Sequence, residues 1–344
     1  MKIFKSLLIG LMIAPLAFYS CDDENTTKIT PPSSAAWDAL REAAMDGLIQ
    51  RATLNITSSL ATFESAKGAT LSIETFGLCF EDGEPIDQDG TLDLEFVEIY
   101  DKATMLLTNK PSMGHNGDGN KRLLETGGMF YVNVTQGGKK VTVNGSDFMS
   151  LTVPVALTNT TDVANDMTLW SGVIGDDGNL TWVQVVDMSG TEGIDVPIGD
   201  PSGIGVPVDW IDDSSVNYIV VFGNFGWSNI DRFLYLEGEK TGIKVAPPVG
   251  FDNKNSAVYI SFDGEGDNQL SQVYLFEEGH FYEIYEYFPV GLNVHLIFVS
   301  EDNGKWLYAT KGVEIAKETI YSFTLEDLKT ANEAQLIAAI KALP

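Results

Sequence analysis

The residues able to carry chemistry are few and scattered along the 344-residue chain. The three histidines are His115, His280 and His295, and none sits at H-x-x-x-H or H-E-x-x-H spacing. No helix face therefore presents two imidazoles to one zinc ion. His295, between Val294 and Leu296, reads as a strand-face residue, and His115 lies in a Gly/Asn/Asp loop that meets solvent. Asp87, Asp89 and Asp93 alternate around Gly90, a spacing that lets oxygen ligands converge on one hard cation. The twelve-residue EF-hand pattern is absent, and Asp263 to Asn268 forms a second acidic loop of the same ambiguity. Solvated hairpin turns account for both loops. Calcium in a structural role is the one metal the sequence admits, and no other cofactor is expected. There is no G-x-S-x-G elbow, no P-loop, and no His beside a Ser or Cys in a recognisable motif. Glycoside hydrolysis needs two carboxyl groups roughly 5–10 Å apart, but 49 acidic residues make chance pairs inevitable. The chain is expected not to be an enzyme.

Two constellations suit binding better than catalysis. The first is Trp227 with Asp231 and Arg232, a ring beside a charged pair; its plainer reading is an ion pair tying a loop to the fold. The second is the run Phe276, Phe281, Tyr282, Tyr285, Tyr287 and Phe288, interleaved with Glu277, Glu278, Glu283 and Glu286. In paired strands this alternation leaves one aromatic and one acidic face. Ring faces stack on sugar C–H groups and carboxylates accept hydroxyl protons, which is the chemistry of carbohydrate binding. Core packing explains the same rings and is the reading the sequence favours.

The amino terminus carries a different chemistry. Lys2 and Lys5 precede an apolar run from Leu7 to Phe18, too short to span a bilayer as a mature helix. Ser20 then precedes Cys21, and Asp22, Asp23, Glu24 and Asn25 follow. Residues 1–20 thus resemble a lipoprotein signal peptide, with Phe18 where leucine is usual. Cys21 is the expected lipidation site, its acyl chains each adding roughly 0.8 kcal/mol of membrane affinity per buried methylene. The acidic run resembles the export tag that sends Bacteroidetes lipoproteins to the cell exterior. The expected location is the outer membrane, anchored through acylated Cys21.

Charge and cysteine content agree with an extracellular setting. Cleavage before Cys21 removes two lysines and no acid, taking the formal charge from −28 to −30. Such a surface repels phosphate backbones, which argues against nucleic acid as a partner. Lipidation of Cys21 leaves Cys79 as the sole thiol, set between Leu78 and Phe80 and read as buried. No internal disulfide is then available, and the core must hold by burial alone.

The elements that must position these residues are mostly strands. Residues 21–52 read as an anchored Thr/Pro/Ser tether followed by a helix over Ala35–Gln50, capped by Ser34. From Thr53 period-2 alternation takes over, punctuated by Asp-Gly, Asn-Gly and Gly-Gly turns, which predicts a first antiparallel β-sandwich over 53–200. A Gly/Pro/Asp-rich stretch from Gly190 to Pro207 marks a boundary, and a second β-series predicts another sandwich over 206–323. Residues 324–344 read as a helix capped by Thr324.

Two stretches carry a family resemblance. One runs from Gly83–Glu84–Pro85–Ile86 through Leu94–Lys102 and Asn109–Lys110–Pro111 to Leu124–Tyr131 and Thr135–Lys139; the other is Phe225–Gly226–Trp227–Ser228–Asn229–Ile230–Asp231–Arg232–Phe233. The first resembles a β-sandwich module of Bacteroidetes surface proteins, distantly similar to ZU5-type and immunoglobulin-like domains. The second resembles a Gly-Trp-x-Asn-Cys-Asp-Arg-Phe signature of such proteins, with Ile230 in place of Cys. The resemblance implies architecture and surface display, with no catalytic residues to carry over. The expected function is a non-catalytic binding or structural module for a glycan or an envelope protein: a glycan-binding accessory of a polysaccharide-utilisation system, or an adhesin or scaffold. A hydrolase is the remote third reading.

Overall fold

A computed structural model describes residues 29–143, 149–158, 166–175, 178–186, 193–196, 198–199, 216–264 and 266–344. The leader, Cys21 and most of the tether lie outside the described residues, as do much of the Gly190–Pro207 stretch and Glu265. The chain is mostly β, 49% strand and 15% helix, arranged in several sheets with three helices. Among the described residues no helix is long and apolar enough to cross a membrane.

Five strands close into a barrel: β1 (Met113–His115), β2 (Arg122–Gln136), β3 (Thr168–Ile174), β4 (Leu180–Gln184) and β5 (Gly226–Phe233). β2 pairs with β5, β5 with β3, β3 with β4, β4 with β1 in parallel, and β1 with β2. The 15-residue strand β2 makes closure feasible, because its first part serves the barrel and its second part pairs with Thr91–Ile99. Between the two parts the ladder slips: Asp231 faces Thr126 but Ile230 faces Gly128, so Gly127 is an extra residue. This bulge shifts the side-chain alternation by one, turning Thr126 and Met129 to one face and Phe130 to the other. Gly128 has φ 134, and a Cβ there would meet Phe130 Cζ at 2.7 Å and Tyr100 Cε1 at 2.8 Å. Only glycine fits both constraints.

The outer face carries Leu94, Phe96, Phe130, Val132, Leu169 and Ile230 into one core with Ala61, Leu71, Ile73, Leu151, Tyr218 and Val220. The last six come from a five-stranded sheet built on strands Leu60–Glu64, Thr70–Glu74, Met149–Pro154 and Asn217–Phe222. The segment after the Gly/Pro/Asp-rich stretch therefore returns to the first half: Asn217–Phe222 pairs with Met149–Pro154, and β5 enters the barrel. Pairing partners are non-local in sequence, so turn composition could not place them.

The later strands form a five-stranded sheet whose Val258, Ile260, Leu296, Phe298 and Leu307 pack against Val245 and Phe281 of a smaller four-stranded sheet and against Phe323 just beyond it. Its other face carries Tyr259, Ile297, Val299 and Trp306 into a core shared with Trp170, Trp182 and all three helices. These are α1 (Ser34–Leu48), α2 (Lys102–Thr108) and α3 (Glu333–Lys341). The Ser33 hydroxyl, one residue before the expected cap, accepts from Ala36 N at 3.2 Å, and α1 buries Trp37 edge-on against Trp306 at 5.8 Å. The predicted helix over 324–344 is shorter. Thr324 and Asp327 do form a capping box, but on a single 3₁₀ turn. Lys329–Ala331 is then drawn into the sheet beside Lys305–Glu314, and Asn332 caps α3. The end of the tether is docked rather than free, with Ile29 packed on the second core and Pro32 O accepting from Asn255 Nδ2 at 3.4 Å.

Candidate functional site

The structure separates the predicted Asp231–Arg232 pair, because neighbours along a strand point to opposite faces. Asp231 lies fully buried on the inner face of β5, where its Oδ2 accepts from Asn229 Nδ2 at 2.5 Å and its Oδ1 has no partner. Burial raises its pKa well above the usual carboxylate range, and the charge of Glu125 adds to the rise. Arg232 turns outward and pairs with Glu125 at 2.7 Å and Asp166 at 3.0 Å. Trp227 is half-buried against Tyr131, with ring centroids 5.3 Å apart, and edge-on to Trp182 at 6.3 Å. The three residues hold the barrel together and do not share a cleft.

The calcium candidates are also dispersed. Asp87 Oδ1 accepts from Asp89 N at 3.0 Å inside a turn clamped by Gln136, whose side chain binds Asp87 N at 2.7 Å and Asp87 O at 2.9 Å. Asp93 lies on the neighbouring strand and accepts from Thr53 Oγ1 at 3.0 Å. Among the described residues no three His, Cys, Asp or Glu side chains are gathered to hold a metal ion. His295 does lie on a strand face, but half-buried beside Asp263, with Nδ1 2.7 Å from its Oδ1. His115 Nδ1 accepts from Gly117 N at 3.0 Å. Cys79, read as buried, is partly exposed on an edge strand and free.

The aromatic and acidic run is where the structure makes a surface feature. Phe281 and Phe288 enter the core and Tyr287 packs half-buried against it, as packing predicts, while the Tyr287 ring also stacks on half-buried Tyr285, 5.5 Å apart at 14°. The turn carrying them is organised by Glu283, itself only 5% exposed. Its carboxylate accepts from the backbone N–H groups of Tyr285 and of Glu286, the latter at 3.2 Å. Burial pushes the Glu283 pKa up to about 7, against the lowering effect of those amide bonds. The Tyr274 hydroxyl donates to that of Tyr285 at 3.3 Å, and the Lys121 ammonium lies 4.1 Å over the Tyr274 ring.

Tyr287 and Glu286 form one wall of a cleft of about 230 Å³. Arg122 at the start of β2 and the chain leaving β5, Phe233 to Leu236, also line it. Tyr235 stands 81% exposed there, its ring 6.1 Å from that of Phe233. Arg122 lies 5.2 Å over the Phe233 ring and pairs with Asp118, which fixes a cation at the cleft edge. The Tyr287 hydroxyl is shut off from solvent and has no hydrogen-bond partner, and Glu286 is exposed. The cleft thus offers ring faces, an unengaged carboxylate and a guanidinium, the groups that hold a polyhydroxylated ring. Sequence reasoning found Tyr285, Tyr287 and Glu286 but missed Tyr235 and Arg122. Tyr235 had a signal, a lone aromatic between Leu234 and Leu236 that alternation turns away from the leucines.

No family model matches the chain, and neither the curated proteins nor the solved structures provide a match.

Proposed function

We propose that this chain is a surface-exposed outer-membrane lipoprotein, anchored through Cys21, that acts as a non-catalytic glycan-binding module. The observation that supports it is the cleft that exposed Tyr235 lines together with Tyr287, Glu286 and Arg122, the Tyr287 ring being stacked on Tyr285 behind it. A folded chain leaves a large ring 81% exposed at the cost of its hydrophobic burial. A ring so placed beside a second aromatic surface is suited to stacking on a sugar. The sheets that share a core within each half are read as two β-sandwich-like modules with flanking helices. The first lends its barrel edge and the second its tyrosine turn to the cleft. Calcium has no part in this reading.

Two experiments test it. Screening the chain from Ile29 onward on a glycan array is expected to give binding that Tyr235→Ala removes. Silence across the array would favour an adhesin or scaffold that recognises protein. Separately, Cys21→Ala is expected to abolish palmitate labelling of the full chain in its host and to leave precursor uncleaved. A labelled mutant displayed at the surface would overturn the anchor.

A further inference from the structure

A second cleft, of about 620 Å³, lies apart from the tyrosine turn, lined by α1, by the residues at the end of α2, and by Ile174 and Gly178. Two cations line it, Arg41 and Lys110. Lys110 follows Asn109, which ends α2 in the left-handed conformation at φ 54. Its half-buried ammonium donates to Thr108 O at 3.1 Å and lies 5.4 Å from the Trp227 ring centroid. An ammonium has three N–H donors, so one protein acceptor leaves it under-used. Among the described residues no carboxylate lies within ion-pair distance of Lys110, although the chain carries 49 acids against 21 bases. The charged group it feels most is another cation, Arg41, held by Asp38 at 2.6 Å and stacked 4.8 Å over Trp37. Arg41 is already answered by Asp38, so Lys110 is the cation of this cleft whose half-buried charge no described carboxylate meets, and such a charge costs free energy until an anion joins it.

The rest of the lining says which anion. Met45, Ile49 and Ile174 supply apolar wall, and Ile174 is 56% exposed. Asp38, Glu42 and Asp46 stand at the same cleft, so a doubly charged phosphate meets more repulsion than a single carboxylate does. We propose that Lys110 and Arg41 bind the carboxylate of a small organic monoanion whose apolar body lies against Met45, Ile49 and Ile174. This site is independent of the tyrosine cleft, and either stands if the other fails. Burial, with Arg41 adding to it, lowers the Lys110 pKa to about 8, so affinity is full below that pH and falls above it.

Calorimetric titration of the full chain with hexanoate, hexanamide and inorganic phosphate tests the site. Hexanoate is expected to bind at pH 6.5 and to lose affinity by pH 9.5, with hexanamide and phosphate weaker throughout. Arg41→Gln, which keeps a good helix former on α1, and Lys110→Met are each expected to weaken hexanoate about tenfold or more, the size of one charge-assisted hydrogen bond. Lys110→Arg is expected to retain binding. Arg41→Gln gives the answer even if Lys110→Met does not fold. No binding of hexanoate, equal binding of hexanamide, tighter binding of phosphate, or unchanged affinity in Arg41→Gln would each overturn the proposal.

Discussion

Truncating Trp182 to alanine is expected to lower the unfolding free energy by about 3–5 kcal/mol, the range for deleting a buried aromatic ring. Trp182 is fully buried in β4, and its indole Nε1 donates to Pro111 O at 3.0 Å. Its backbone also approaches β1 so closely that a Cβ on Gly114 would lie 2.5 Å from Trp182 O. This is the seam at which the barrel closes, where β4 and β1 pair through only two registered residues. Losing the ring empties the space between sheet and helices and removes one of two donors to the Pro111 carbonyl, which keeps Met113 N at 3.1 Å, so the cavity carries most of the cost. Urea denaturation followed by tryptophan fluorescence measures the change. Trp182→Phe should recover part of it, since it restores volume but not the N–H. A loss below about 1 kcal/mol for the alanine variant would mean that the barrel does not pack around this side chain.

The second large effect depends on pH. The native state holds a proton on Glu283 up to about pH 7, whereas an unperturbed Glu loses it near 4.5. A native pKa above the unfolded one means that the folded chain binds more protons across that interval. The stability due to this group is then fully present below pH 4.5 and is lost as pH rises toward about 7. The displacement corresponds to about 3 kcal/mol at about 1.4 kcal/mol per pH unit. Glu283→Gln, which keeps an acceptor for the Tyr285 and Glu286 amides, is expected to flatten that part of the stability profile and to be the more stable protein at pH 8. Denaturation midpoints measured from pH 4 to 8 decide it. A variant with the wild-type slope would place the neutral-pH titration elsewhere.

The sequence was most informative where the period was local. Alternation in Leu92–Leu94–Phe96 and in Val132–Val134 marked residues that do enter one core, and the spacing of Trp37 and Ala44 marked the buried stripe of α1. It was silent where closure depends on distant pairing. Nothing in residues 113–115 announces a parallel partner at Trp182–Val183, and the bulge at Gly127 is visible in sequence only as two adjacent glycines. That bulge explains why strict alternation misplaces half of β2. The Asp231–Arg232 pair is divided for a simple reason: strand geometry sends adjacent side chains apart, one buried and one to Glu125. The tyrosine turn is core in part, with Phe281 and Phe288 inside and Tyr287 packed on their edge. A buried carboxylate, Glu283, gathers the backbone into a turn that leaves Tyr285 and Tyr287 half-buried, an arrangement no periodicity encodes.

The measurement that bears most directly on the displayed-binder account is the affinity of one array-selected glycan for four proteins. These are the wild type, Tyr235→Ala, Tyr287→Ala and Phe76→Ala, the last an exposed aromatic on the turn Thr75–Gly77 outside the cleft. The account predicts that each tyrosine variant weakens binding about tenfold or more while Phe76→Ala leaves it unchanged. Tyrosine variants that bind as tightly as the wild type would contradict the cleft as the site.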